Sequence, residues 1–203
     1  MRVRIMASSL RRMSEDVQHT KRRDAARNRE RLLTAARRAF TEHGPGVAFE
    51  AIAHAADASR TTIYRNFATR QELAATVYED NVARIEQHAD ALGERADDVV
   101  RLLDFVLDIQ RDNRSLAHAL SGADVAWLTG LSARTVSAFR PHLERGRAAR
   151  LVHPEVDVQD LMLAFPMAAG AMADDDIVHR EQTDDRVRTL LHRALFTDRG
   201  RPG

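Results

Sequence analysis

The sequence predicts an all-α chain, with an N-terminal three-helix unit followed by a larger helical domain. Three observations carry this reading. Apolar residues recur at three- and four-residue spacings through most of the chain after about Asp24. No segment gives a convincing strand pattern or an internal repeat. Residues that start and stop helices fall at the ends of the periodic stretches. The chain therefore divides into a basic disordered arm over 1–23, the small unit over 24–69 and the larger domain over 70–203.

The elements follow in order. Leu32, Leu33, Ala36, Ala39 and Phe40 form one apolar stripe, which Gly44-Pro45-Gly46 ends. Ile52, Ala53 and Ala56 mark a short second helix, and Ile63 with Phe67 marks a third. Between them lies Ala56-Asp57-Ala58-Ser59, where the Ser59 hydroxyl can cap the third helix by accepting an orphan N–H. Thr69-Arg70-Gln71-Glu72 reads as a capping box opening a fourth helix, with a stripe from Leu73 to Ala89. Val99 to Ile109 is apolar on most sides and is expected in the core. A shorter helix is expected over Arg114–Leu120, and a long one from about Asp124 to Arg145 that Pro141 could kink. Two further stripes run over Val158–Met172 and Val187–Leu195.

Composition excludes several classes of function. At 203 residues, with 44% apolar and 30% charged residues, the chain can bury a sizeable core. No window is apolar enough to span a bilayer, and Met1 to Met13 lacks the apolar region of a secretory signal, so a cytoplasmic address is expected. Met6 and Met13 are alternative starts. The absence of cysteine removes disulfides, thiolate metal sites and cysteine catalysis. The net charge of +1 conceals an asymmetry: residues 1–70 hold 15 Lys+Arg against 7 Asp+Glu, while residues 71–203 hold 16 against 23. One end alone suits a polyanion.

The segment Phe49 to Phe67, FEAIAHAADASRTTIYRNF, has the parts of a helix-turn-helix. Ala53 is small where two helices must cross closely, a tight turn follows, and a short helix comes next. With Ile63 and Phe67 facing inward at i and i+4, the outer surface is left to Arg60, Thr61, Thr62, Tyr64 and Arg65, which can donate to base edges or phosphate oxygens.

From Arg27 to about Asp80 the chain resembles the DNA-binding domain of the TetR family of regulators. The matching pieces are RERLLTAARRAFTEHG, AIAHAADAS and RTTIYRNFATRQEL. The remainder resembles the family in length, helical character and element order. The resemblance implies that Arg60, Thr61 and Thr62 read bases, beside Ser59 at the start of the recognition helix. Tyr64 and Asn66 would contact phosphate, as would Arg70 at the N-terminus of the fourth helix, with further contacts from Arg27. Two positions depart from the family. Asp57 stands where Gly is frequent in the turn, and Asp tolerates left-handed backbone at a small cost. Thr61 stands where Gly is frequent in the recognition helix, which bears on the operator sequence.

The resemblance also implies an effector site among the later helices. Phe105, Trp127, Phe139, Met162, Phe165 and Met167 are candidates to line it, and their character suits a hydrophobic small molecule. It implies a homodimer through about 158–172 and 187–195, with Ala164, Ala168, Ala169 and Gly170 permitting close helix approach, and Pro166 kinking the first of the two helices. Asp174-Asp175-Asp176 with His179 is read as a solvated loop rather than a metal site. No phosphate loop, serine elbow or catalytic carboxylate pair stands out, so neither cofactor nor enzyme activity is expected. The expected function is a ligand-responsive regulator, most simply a repressor, binding a palindromic double-stranded DNA operator as a homodimer. The alternative is a DNA-binding protein without a small-molecule effector, controlled by a protein partner.

Overall fold

The computed structural model describes residues 2–44, 46–113, 116, 120, 124–172 and 180–199, with side chains from Arg23 onward, Arg180 excepted. Among these residues the helices are α1 (Arg2–His43), α2 (Phe49–Ala55), α3 (Arg60–Asn66), α4 (Arg70–Ala91), α5 (Asp98–Asp112), α6 (Val125–Ala148), α7 (Val158–Met172) and α8 (Arg180–Leu195). The described residues contain no strand, only an isolated antiparallel bridge between Val152 and Phe196 that ties the loop after α6 to the end of α8.

Helix α1 begins at Arg2, so it runs through the segment expected as an arm. Arg, Glu and Gln are good helix formers even without an apolar stripe, which is why periodicity gives no sign of it. Gly44 ends α1: its φ of +73° is a left-handed conformation that glycine adopts without steric cost, and its N–H reaches the Phe40 carbonyl at 3.0 Å. The helix expected over Arg114–Leu120 falls mostly outside the described residues, as do Asp174-Asp175-Asp176 and His179. Helix α6 is continuous through Pro141. In the same helix, Gly146 faces α5 so closely that a Cβ there would lie 2.8 Å from Val99 Cγ1 and 2.9 Å from Val152 Cγ2.

Two apolar cores result. The first gathers Leu32, Ala36 and Phe40 of α1, Ile52 of α2, Ile63 and Phe67 around α3, and Leu73, Ala74 and Val77 of α4. Leu116 and Leu120 complete it from the far side of α5, so this core packs across the boundary expected at residue 69. The second core fills the bundle of α5, α6, α7 and α8 together with the end of α4. Helix α4 contributes to both and packs against α1, α5 and α6. Arg37 of α1 pairs with Asp80 of α4 at 2.5 Å, and the Thr41 hydroxyl reaches the Asp112 carbonyl at the end of α5.

A polar cluster clamps α5 to α8. Arg188 pairs with Asp104 and, at 2.7 Å, with Asp108, while the buried His192 Nε2 lies 2.8 Å from Asp104 Oδ1. Burial pushes the Asp104 carboxyl up, but hydrogen bonds and charge from His192 and Arg188 outweigh it and hold it below the ordinary 3.8. A carboxyl depressed in the folded state lends stability that is complete above its unfolded value and is lost as pH falls through the folded one. Urea midpoints are therefore expected to drop as pH is lowered from about 5 to about 3, and to drop less in Asp104→Asn.

Candidate nucleic-acid interface and adjoining cavity

Helix α3 has seven residues, too few to hold a helix on its own in water. Its position comes from its ends and from its inner face. Ser59 caps it, accepting the Thr62 N–H at 3.1 Å, with its hydroxyl 2.8 Å from that of Thr62. Ile63 and Phe67 are fully buried, and Arg29 of α1 lies over the Phe67 ring at 4.9 Å. The turn before α3 runs through Asp57 at φ +50°, where its carboxylate meets Arg31 of α1 at 2.9 Å. The turn that glycine would make freely is thus made by an aspartate strapped to the first helix. Ala53, 2% exposed, accepts the Ala58 N–H at 2.9 Å, which closes the turn.

The outer face of α3 is as the residue pattern requires. Arg60, Thr61, Tyr64 and Arg65 are exposed, and Thr62 and Asn66 are half-buried. The Asn66 amide donates to the Thr62 carbonyl at 2.7 Å, which leaves one N–H for an outside acceptor. Arg70 is exposed in the first turn of α4, whose N-cap Thr69 accepts the Glu72 N–H at 3.0 Å. Glu72 returns to the Ala68 N–H at 2.7 Å, one residue earlier than in the usual capping box. Arg27 is exposed on α1. Sequence reasoning missed Glu50 of α2. It holds Arg60 at 3.2 Å and receives the Tyr64 hydroxyl at 3.4 Å, while Tyr64 packs on Phe49 with ring centroids 5.2 Å apart. Only the fold brings α2 and α3 together here, so spacing along the chain carries no sign of it.

A cavity of about 620 Å³ lies among α4, α5, α6 and α7, within the range of small-molecule sites. Met162 and Phe165 line it as expected, joined by Pro166. Three expected residues do not. Phe139 is fully buried in the core, where it packs on Phe165. Phe105 stacks on His88 at 4.0 Å, and Trp127 packs on Tyr78 at 6.0 Å. Met167, weighed with them, points outward at 64% exposed. Aromatic and Met residues signal burial, but burial alone does not separate a wall from a core. The polar residues of the wall went unnoticed: Tyr78, Asn81, Gln110, Asn113, Ser132 and Thr135. Burial raises the Tyr78 phenol above its ordinary value, so it remains a hydrogen-bond donor.

Helices α7 and α8 also carry an apolar outer surface. Leu163 and Met167, one turn apart on α7, are 62% and 64% exposed, and Leu190 of α8 is 54% exposed. Ala164 and Ala168, expected to permit approach of a second helix, are buried instead and pack toward the chain's own core. The helical repeat places them a little over a quarter turn around α7 from Leu163 and Met167.

The sequence profile of bacterial regulatory proteins of the tetR family matches residues 32–77. No curated protein matches the chain. Among solved structures, the chain is similar to a TetR transcription regulatory protein from Mycobacterium vanbaalenii, at 30% identity and TM-score 0.63 over 87% of this chain and 99% of that one. It is similar to a TetR transcriptional regulator from Streptomyces coelicolor at 26% identity and TM-score 0.65, over 84% and 99%. At 22% identity, GusR of Salmonella enterica shares the fold, with TM-score 0.56 over 83% and 95%.

The caps that hold α3 and α4 in place are separable from their outer faces. Ser59→Ala and Thr69→Ala are each expected to lower stability by about 1 kcal/mol, read from urea denaturation.

Proposed function

This chain belongs to the TetR family of bacterial regulatory proteins, and on that premise we propose that it is a homodimeric, ligand-responsive repressor of a palindromic operator. The observation that carries the reading is the face of α3. With Ile63 and Phe67 wholly inside, Arg60, Thr61, Tyr64 and Arg65 stand outward together on a helix of the length that enters a major groove. Arg60, Thr61 and Thr62 then read base edges from its N-terminal end. Tyr64, Asn66 and Arg70 hold phosphates, with Arg65 and Arg27 adding positive charge, and Ser59 fixes the start of the reading helix.

One recognition helix buries too little surface for specific binding, so two copies are needed. The outward Leu163, Met167 and Leu190 give the second copy its apolar seat on α7 and α8. Responsiveness to an effector is supported by shared walls. Leu116 lines the cavity and also belongs to the core that fixes α1 to α3, and Tyr78 lines the cavity while packing on that core. A molecule that fits one arrangement of this wall better than another shifts the spacing of the two recognition helices by its difference in affinity.

Selection of bound DNA from a random pool is expected to recover a palindrome, and loss of any sequence preference would refute the reading. Affinity for that palindrome is expected to fall steeply with salt, and Arg70→Ala to reduce the slope of log affinity against log salt by about 1. Thr61→Ala should instead change which sequence is preferred, as seen by repeating the selection. The double change Leu163→Glu, Met167→Glu is expected to give monomers in analytical ultracentrifugation, with operator affinity lost alongside.

A further inference from the structure

Three acidic side chains surround α3, and two of them hold the backbone that carries it. Asp57 restrains the turn through Arg31, and Glu72 returns to the Ala68 N–H ahead of α4. Glu50 turns to the outer face of α3 instead. Among the described residues its polar contacts are Arg60 Nε, 3.2 Å from Oε1, and the Tyr64 hydroxyl, which donates to the same oxygen at 3.4 Å. The Arg60 guanidinium sits over the Tyr64 ring, 5.6 Å from its centroid. The Arg60 and Glu50 side chains are 72% and 49% exposed, and an ion pair so exposed adds little to stability. A carboxylate at this place also opposes the approach of phosphates. What the contact does fix is direction.

A guanidinium can pair through either of two edges: Nε with one terminal nitrogen, or the two terminal nitrogens together. Glu50 faces Nε, so the first edge is taken. Neither terminal nitrogen of Arg60 has a polar partner among the described residues. That remaining edge matches the O6 and N7 acceptors that guanine presents in the major groove. A phosphate that takes the Tyr64 proton leaves the Glu50 oxygen to Arg60 alone. We infer that Glu50 is a positioning residue that turns Arg60 end-on toward a guanine, so that each half-site carries guanine where Arg60 meets it. The inference rests on the reading of α3 as the recognition helix.

Selection from a random DNA pool, run on the full chain and on its variants, tests this. The position read by Arg60 is the one whose preference disappears in Arg60→Ala, and the unmodified chain is expected to favour guanine there by roughly tenfold. Glu50→Ala is expected to cut that preference several-fold and to leave the other positions as they were. It should bind a non-palindromic duplex no more weakly than the unmodified chain, since it removes a negative charge. Glu50→Gln keeps an oxygen facing Arg60 Nε and is expected to retain most of the preference. Where Glu50→Ala fails to fold, Glu50→Met, of similar length but without an acceptor, reads the same loss. A base other than guanine, a preference untouched by Glu50→Ala, an equal loss at every position, or as large a loss in Glu50→Gln would overturn the inference while leaving the operator in place. Selection of no sequence by the unmodified chain would overturn the operator reading as well.

Discussion

The burial of Ile63 and Phe67 is the constraint on which the rest of the molecule depends. A helix of seven residues has no stability of its own, so α3 exists because two side chains at i and i+4 insert into a core built by α1, α2 and α4. Once they are inside, the helical repeat dictates which side chains face outward, and nothing further is required to present Arg60, Thr61, Tyr64 and Arg65 as a group. The supports around them act on the same point. Ser59 sets where the helix begins, Arg29 covers Phe67, and Arg31 restrains the turn at Asp57.

The same core adjoins the cavity wall. Helix α4 leaves the α1–α3 unit carrying Leu73, Ala74 and Val77, then continues into the second core with Ile85 and Ala89. Tyr78, between these two sets, looks onto the cavity. Leu116 does so from the other side of α5. Close-packed interiors respond to an added molecule by rearranging discrete contacts rather than yielding smoothly. On the proposed reading, a molecule bound at this wall would act on the core beneath α3 through Tyr78 and Leu116.

Much of this was legible before any coordinates. Local signals with strong physical causes gave the helix ends: Gly44 at the end of α1, Ser59 before α3, Thr69 before α4 and Asp124 before α6 each sit where the backbone demands them. The apolar stripes gave the inward faces of α1 and α3, and Asp57 holds the left-handed turn foreseen for it. What the sequence hid was choice among buried residues. Phe139 and Phe165 are alike in type and touch one another, yet only Phe165 reaches the cavity. Gln110 and Asn113 resemble any polar pair at a helix end, and their place in the cavity wall arises only when α7 is packed beside α5. Ala164 and Ala168 turn toward the chain's own core while Gly170 stays exposed, because small residues suit a chain's own tight interior as well as a partner's. Helix α1 runs past its apolar stripe to Arg2, and no periodicity marks that extension.

Leu116 and Leu120 close the core of the first three helices from more than forty residues downstream, which bears on modularity. The segment that would touch DNA is not a cassette that can be severed after α3 and grafted elsewhere. Cut there, it would lose Leu73, Ala74 and Val77 of α4 along with the two leucines beyond α5, and its hydrophobic floor would be open to water. Recombination between relatives would therefore have to exchange this strip along with the head it seals.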